Sequence, residues 1–397
     1  MPTDCSNLAY RVHFFLVEGK VVQNMKVANI ITAGAILMTM SGCAASPNAP
    51  QMPVVQETQQ SQSYVASATV GDFLTFTLDP ANKTFTYNDL TNREQATLPL
   101  VETSTNVYGI NDPSGNMVAA YQYPNYGLVV EAKKVGPDRD TVALNLALAK
   151  APISIADVTS QPFNCLQLRT SQGGFEIGSA TIDGQGNIKS STYWPLGAAS
   201  GDTSFHNGTF PASSVEADPS GNFLKITDED DNVSYLFGGT SEFVIDRPDG
   251  TMLGFAKAAT KDFDAVHAGT YQTNAYQKLG AANGQSTAET GVPGFDNGTI
   301  TVGTDGTVTF VNGQGQVVAQ GTLVPVADDT AIYGGGFLSL QDPCFGLFTL
   351  HLTTAASQQD IFVSFGTQSV AFASLTTTLP QDPSNTYNYF YGIGVKQ

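Results

Sequence analysis

Apolar and polar residues alternate with a period of two along most of the chain, from about residue 63 to its end. Leu74, Phe76 and Leu78 are separated by single threonines, and Ile361–Phe365 is a short run rich in β-branched and aromatic residues. A period of two places successive side chains on opposite faces of an extended chain, which predicts β-strands. The Leu- and Ala-rich stretch Val142–Leu148 also has its large residues at every second position. We therefore predict a strand there, with an Ala-rich helix as the alternative.

Turn sequences separate these predicted strands. Asp-Gly and Asn-Gly pairs readily adopt the positive backbone φ of tight hairpin turns, and Pro presets the first turn angle. Uneven spacing between the turns argues against a propeller or a solenoid and favours antiparallel meanders. The turn sequences are Asp79–Asn82, Asp112–Gly115, Asp183–Gly186, Asp218–Gly221, Pro248–Gly250, Thr304–Gly306 and Asn312–Gly315.

The pattern predicts an all-β fold with two antiparallel β-meander domains, residues 63–258 and residues 266–397. The junction between them is placed in Ala256–Ala265, where the apolar pattern thins out. Meanders of this kind bury their inner faces by curling into barrels or sandwiches. The region before Pro162 is a candidate separate subdomain.

The N-terminal part of the chain has a different pattern. Lys26 precedes the apolar run Val27–Met40, which is shorter than the ~20 residues that a spanning helix needs. A charged start, a short apolar segment and small residues at its end are the features of a secretory signal peptide. The ending Ser41-Gly42-Cys43 resembles the lipobox of bacterial lipoproteins, although Met40 stands where that family usually has Leu.

The resemblance to bacterial lipoproteins implies an export route and an anchor. In that family the signal peptide is cut before the cysteine, whose thiol and new amine then carry acyl chains. Residues 1–42 would be the signal peptide, with Met1 or Met25 as its true start, and Cys43 would be the lipid attachment site. Residues 43–62, rich in Pro and Gln, are expected to form a flexible tether. Ala44, rather than Asp, after the anchor fits a cell-envelope location in the outer membrane, if the cell has one.

The charge of the chain limits its partners. The formal net charge is −18 at pH 7. Such a surface repels phosphate backbones, so we expect no nucleic-acid partner. It also repels anionic lipid, so contact with the membrane is expected through covalent acyl chains rather than through a basic patch.

Two cysteines, Cys165 and Cys344, remain beyond the signal segment. An exported protein meets an oxidising compartment, in which these residues could form a disulfide. The alternative is two buried thiols that pack as small hydrophobic groups. The sequence leaves both open, because a disulfide requires a short Cβ–Cβ separation that spacing does not reveal.

The usual catalytic motifs are absent from the sequence. It contains no Gly-x-Ser-x-Gly, Ser-x-x-Lys, His-Glu-x-x-His or Cys-x-x-Cys motif. Three histidines follow the signal, and they are far apart: His206, His267 and His351. His351 lies within a predicted strand, where a structural histidine is the simpler interpretation. A hydrolase with an unrecognised site stays as one alternative, and convergence of a histidine with a carboxylate in a cleft would support it.

The densest acidic run is a candidate calcium site. Asp228, Asp230 and Asp231 supply carboxylate oxygens, the ligand type that Ca²⁺ takes in sets of six to eight. The EF-hand pattern fails, because Val233 and Gly239 stand where Gly and Glu are needed. A solvated hairpin tip explains the same charges. No other cofactor is expected.

Aromatic clusters are the remaining candidate sites. Exposed rings can stack on sugars, so Tyr121, Tyr123, Tyr126, Tyr193 and Trp194 are candidate ligand-binding residues for a glycan, a small molecule or a protein. The alternative is that these rings form cores and cross-strand pairs, which is the common role of aromatic residues in strands.

The sequence favours a non-enzymatic, lipid-anchored β protein outside the cytoplasm, with a structural, adhesive or ligand-binding role. A second hypothesis is small-ligand carriage in a barrel of the calycin type. Ala268-Gly-Thr-Tyr271 resembles the Gly-x-Trp opening of lipocalins, although Tyr replaces Trp and the rest is unmatched. An enclosed apolar cavity would favour that hypothesis, and a filled core would count against it.

Overall fold

The computed structural model describes residues 60–133, 142–159, 161–168, 176–195, 206–248, 250–278, 294–329, 344–353, 358–374 and 389–397. Within these ranges the regular structure is almost entirely antiparallel strand. The strands form a closed barrel, a nine-stranded sheet and a second closed barrel, in that order along the chain. The all-β prediction is therefore confirmed.

Eight strands form the first barrel, each paired with its neighbour in sequence, and β1 closes the barrel by pairing with β8. Side chains at every second position of each strand face the interior of this barrel. The strands are β1 (Gln62–Ala68), β2 (Phe73–Asp79), β3 (Thr84–Asp89), β4 (Glu94–Ser104), β5 (Val107–Asn111), β6 (Met117–Tyr123), β7 (Gly127–Lys133) and β8 (Val142–Ala149).

A nine-stranded sheet follows, preceded by the short helix α1 (Ile155–Thr159). Its spatial order is β12-β11-β10-β9-β17-β16-β15-β14-β13, so the two edge strands are consecutive in sequence, with Pro211 between them. The strands are β9 (Phe163–Leu168), β10 (Glu176–Ile182), β11 (Ile188–Pro195), β12 (His206–Phe210), β13 (Ala212–Ala217), β14 (Leu224–Asp228), β15 (Val233–Gly238), β16 (Glu242–Arg247) and β17 (Gly250–Ala256).

The second barrel also has eight strands in sequential order, closed by pairing of β18 with β25. The strands are β18 (Gly269–Lys278), β19 (Gly294–Val302), β20 (Thr307–Val311), β21 (Val317–Pro325), β22 (Leu347–Thr353), β23 (Gln358–Phe365), β24 (Ser369–Ser374) and β25 (Tyr389–Lys396). Single turns of 3₁₀-helix occupy Ala265–His267 and Val326–Asp328.

One hairpin turn recurs in all three sheets. In the turn at Asp183, the carboxylate accepts hydrogen bonds from the backbone N–H groups of Gln185 and Asn187, both at 3.0 Å. Gly186 has a φ of 85° and donates its N–H to the carbonyl oxygen of Asp183. This is the three-residue hairpin connection in which a left-handed residue follows a type I turn. The turns at Asp112, Asp218 and Asn312 share its pattern, as the sequence predicted.

A shared hydrophobic core joins the three sheets. Strand β8 is buried along almost its whole length, and its large residues, from Val142 to Leu148, lie on the outer face of the barrel, as their period of two predicted. There they pack with Leu253 and Phe255 of the sheet and with Phe362 of the second barrel. Each barrel also has its own interior core, and a fourth core covers the other face of the sheet.

Residues 63–258, expected to form one domain, contain two sheets: the first barrel and the open sheet. The division falls between Ala149, where β8 ends, and Phe163, where β9 begins. The next division falls between Ala256 and Gly269. We call the first barrel, the sheet and the second barrel the three modules. The first barrel is separate from the sheet because a closed barrel has no free edge with which β9 could pair.

We predict that Leu253→Ala lowers the free energy of unfolding by about 2–5 kcal/mol, since Leu253 is fully buried in the shared core. Urea unfolding followed by circular dichroism and by the fluorescence of Trp194, the single tryptophan, should give coincident transitions before and after the substitution. Val101→Ala, at an exposed position of β4, is the control and should change stability by less than about 0.5 kcal/mol. Separate transitions for the two probes would contradict a core shared by all three sheets.

Candidate functional site

The first barrel contains a cavity of about 220 Å³. Its walls are mainly apolar and come from strands all around the barrel, because interior-facing side chains alternate with exterior ones on every strand. Near the turn between β5 and β6 the cavity reaches Asp112, Pro113 and Ser114, which are partly or fully exposed. The other lining residues are Leu74, Phe76, Phe85, Tyr87, Ala96, Thr97, Leu98, Ile110, Val118, Val130, Ala132 and Asn145.

The opposite end of the barrel is closed by polar and aromatic side chains. Tyr64 donates its hydroxyl proton to the side-chain oxygen of Gln62 at 2.6 Å, and Tyr108 donates to that of Gln122 at 3.2 Å. Gln122 in turn donates to Gln62 at 2.8 Å. Burial raises the pKa of Tyr64 to about 12. Access to the cavity is therefore from the Asp112 end.

Side-chain size explains why the first barrel has room inside. Ala96, Val118 and Ala132 are small lining residues on β4, β6 and β7, near the open end. An eight-stranded barrel is just wide enough to be filled by side chains or to hold one small ligand.

A few polar groups line the cavity. Asn145 is 6% exposed, and its side-chain Nδ2 donates to the carbonyl oxygen of Val130 at 3.0 Å. At the mouth, the Asp112 carboxylate accepts from the N–H of Ser114 at 2.8 Å and from the side chain of Asn116 at 2.7 Å. Burial also raises the pKa of Tyr87. The site therefore combines an apolar interior with polar groups that could orient a ligand.

A polar seam links the two barrels. We define it as Tyr121, Tyr123 and Glu131 of the first barrel with Asn274 and Asn297 of the second. Asn274 donates to Glu131 Oε1 at 3.1 Å and Asn297 donates to the Tyr121 hydroxyl at 2.6 Å, while the Tyr123 hydroxyl donates to Asn274 Oδ1. Glu131 is 4% exposed, and this burial raises its pKa to about 7 although the two amides oppose the shift.

Glu242 connects all three modules. It belongs to β16 of the sheet, accepts the hydroxyl proton of Tyr126 from the first barrel, and accepts that of Ser369 from the second barrel at 2.7 Å. A Cβ at Gly366 would lie 2.2 Å from Glu242 Oε2, so glycine leaves room for the carboxylate. Burial raises the pKa of Glu242, and the two hydroxyl donors oppose the shift.

The tyrosine cluster proposed as a ligand site is therefore an internal interface. Tyr121, Tyr123 and Tyr126 pack against the shared core and bond to residues 116 to 176 positions away. These contacts turn the three hydroxyl groups toward other parts of the molecule, which is the alternative that the sequence left open, and binding of an external ligand by these rings stays a prediction. Tyr193 and Trp194 lie on β11, paired with Gly178 and Ile177, and their side chains are outside the described part of the structure.

The acidic run forms the tip of a hairpin. Asp228 ends β14, Val233 begins β15, and Asp231 has a φ of 63°. The Asp228 carboxylate accepts from the backbone N–H groups of Asp230 and Asn232 and from the Asn232 side chain, and these bonds, the side-chain amide first, lower its pKa. Among the residues described, no group of three His, Cys, Asp or Glu side chains is arranged to hold a metal. The geometry matches a solvated tip, and calcium binding stays a prediction.

One histidine does meet a carboxylate. His351 Nε2 lies 3.0 Å from Asp329 Oδ2, and Asp329 is 2% exposed. The Thr349 hydroxyl also donates to Asp329, so its single proton is directed to the carboxylate rather than toward the imidazole. A nucleophile needs the opposite arrangement, in which its hydroxyl donates to the histidine. This group is therefore better explained as a buried aspartate held by its neighbours.

Cys165 and Cys344 are both buried, and no disulfide joins them in the structure. Cys165 belongs to the core on the far face of the sheet, whereas Cys344 belongs to the shared core on the face toward the barrels. Side chains on opposite faces of a sheet cannot bond without movement of the backbone. Of the two alternatives, buried thiols fit this geometry.

Cys43 and the signal segment lie outside the described residues, so lipid attachment remains a prediction. In the part of the chain that is described, no helix is long and apolar enough to span a bilayer.

No family model matches the sequence, and no curated protein is similar to it. The solved structures that resemble the chain include transferrin binding protein B of Haemophilus parasuis, at 10% identity and a TM-score of 0.26 over 85% of this chain and 76% of that one. They also include transferrin binding protein B of Neisseria meningitidis, at 9% identity and a TM-score of 0.25 over 82% and 66%. At such TM-scores these likenesses assign no function to this chain.

We predict that Glu131 makes stability depend on pH. In the folded protein the pKa of Glu131 is about 7, raised from its ordinary value of 4.5, so the folded state binds a proton more tightly than the unfolded state does. The free energy of unfolding should therefore fall as the pH rises from about 5 to 8. In the Glu131→Gln protein, the decrease in the free energy of unfolding between about pH 5 and 8 should be about 2 kcal/mol smaller than in the wild type, as measured by urea titrations. Comparing variant with wild type cancels the parallel effects of Asp72 and Glu242, whose pKa values are also raised.

The control is Glu102→Gln, at an exposed position of β4, which should keep the wild-type pH dependence. A Glu131→Gln protein whose stability declines with pH as steeply as that of the wild type would refute a buried, protonated Glu131.

Proposed function

We propose that this protein is a lipid-anchored, non-enzymatic binding protein of the bacterial cell envelope, and that its first barrel holds a small ligand. The observation that carries the binding role is the apolar cavity, which reaches the surface beside Asp112. The cavity supports the hypothesis of small-ligand carriage, but in the first barrel rather than in the second. The sequence resemblance to lipocalins fell on residues 268–271, at the start of the second barrel, whereas the cavity lies in the first.

The rest of the molecule supports this role as a scaffold. The shared core and Glu242 attach the first barrel to the sheet and to the second barrel, so the cavity walls are held from outside as well as by their own strands. Binding sites on rigid elements keep their geometry without a large ordering cost on binding. The tether at residues 43–62 would hold this unit a short distance from the membrane.

The anchor rests on the signal sequence. A single acyl chain binds membranes only marginally, whereas two or more give stable attachment. Lipid modification of Cys43 would therefore be sufficient to keep the protein in the envelope, and its acidic surface would not contribute.

We predict that Cys43→Ser abolishes lipid labelling and releases the protein from the membrane fraction. The measurement is metabolic labelling with an alkyne fatty acid, followed by fractionation of cells that express the full chain. Cys5→Ser is the matched control, and it should label and fractionate as the wild type does. A Cys43→Ser protein that still incorporates the label would remove Cys43 as the attachment site.

We predict that xenon enters the first barrel. Xenon binds apolar cavities of comparable size without needing any polar contact. Methyl resonances of Val118 and Val130 should therefore shift under xenon pressure in ¹³C-methyl NMR spectra, while those of Val308 in the second barrel should not. Unchanged Val118 and Val130 resonances would contradict an accessible cavity, and with it the binding role.

A further inference from the structure

The size of the cavity limits its ligand. An engineered cavity of about 150 Å³ in another protein takes up benzene. The cavity of the first barrel, at about 220 Å³, is somewhat larger. It therefore has room for a single substituted ring or a small fused ring system, and it is too small for a long acyl chain or an oligosaccharide.

The charges around the cavity limit the ligand further. All of its lining residues fall within the described part of the chain, and Lys, Arg and His are missing from them. Asp112 places a carboxylate at the mouth, and its two hydrogen-bond donors are supplied by its own turn. An anionic ligand would therefore lose its hydration without gaining a cation, beside a like charge, on a chain with a formal net charge of −18.

One polar group in the wall can orient a neutral ligand. Asn145 lies among apolar side chains in the interior, where its Nδ2 is directed to the Val130 carbonyl oxygen. That bond fixes the orientation of the amide and makes its oxygen the acceptor of the side chain. A ligand with one N–H or O–H group can donate to this oxygen, and such a bond contributes more in an apolar site than in water.

Resting on the proposed function, we propose that the first barrel binds a compact, neutral aromatic molecule that carries a single hydrogen-bond donor, the chemical class of indole and p-cresol. Its ring would lie between Phe76, Ile110 and Val118. Its donor would face Asn145. The xenon experiment tests whether the cavity is accessible, and the experiments below test which class of ligand it binds.

Isothermal titration of the purified mature protein tests the class directly with four probes of similar size. Indole and p-cresol should bind with a Kd below about 1 mM. Benzoate, the anionic probe, should bind at least tenfold more weakly. Toluene, which lacks the donor of p-cresol, should bind about tenfold more weakly than p-cresol, the effect of one hydrogen bond in a mainly apolar site.

Variants place the binding inside the barrel. Ala96→Leu extends a lining residue of β4 into the cavity and should weaken indole binding at least tenfold, and Ala132→Leu on β7 should do the same independently. Gln95→Leu introduces the same side chain at the neighbouring exposed position and should leave binding unchanged. The comparison of neutral with anionic probes needs no variant, so it stands even if a cavity-filling protein fails to fold.

The outcomes separate this inference from the proposed function. Entry of xenon without binding of indole or p-cresol overturns the ligand class and leaves an accessible cavity. Equal binding of benzoate and p-cresol overturns the charge argument, and equal binding of toluene and p-cresol overturns the role given to Asn145. If indole still binds to both the Ala96→Leu and the Ala132→Leu proteins, it binds outside the cavity, and the inference is overturned.

Discussion

Burial of strands on both faces is the constraint on which this structure depends. An isolated barrel buries only its interior side chains, but here β8 of the first barrel also buries its outer residues against the sheet. Leu146 and Leu148 therefore face outward without being exposed. This second layer of burial makes the sheet and the two barrels depend on one another, since each supplies apolar surface that the others need to cover.

Two buried carboxyl groups, Glu131 and Glu242, accept hydrogen bonds across the boundaries between the modules. Apolar surfaces alone would tolerate shifts between modules, whereas Glu131 and Glu242 are satisfied only when hydroxyl and amide donors from other modules reach them. Burial raises the pKa of both carboxyl groups because it disfavours the charged form, and the hydrogen-bond donors oppose this shift. We infer that Glu131 and Glu242 favour this one arrangement of the modules more than they contribute to net stability.

Local features could be predicted from the sequence, and contacts between distant strands could not. The period of two in Val142–Leu148 and the turn at Asp183 depend on neighbouring residues, so both were predicted correctly. Tyr126 bonds to Glu242, 116 positions away, and no local pattern indicates that pairing. The cavity is a second case. Its lining brings together small residues such as Ala96 and Ala132 from strands that are distant in sequence, and this grouping becomes visible only when the order of the strands is known.

Native mass spectrometry of the protein, isolated gently from its own membrane, tests most directly whether the first barrel is a binding site. The account predicts a non-covalent adduct of less than about 200 Da, the mass range of a ring compound that fits the cavity, which is released on unfolding. The adduct should be absent from the Ala96→Leu protein and present in the Gln95→Leu protein. An adduct that persists when the cavity is filled, or wild-type protein that carries none even after incubation with indole, would contradict it.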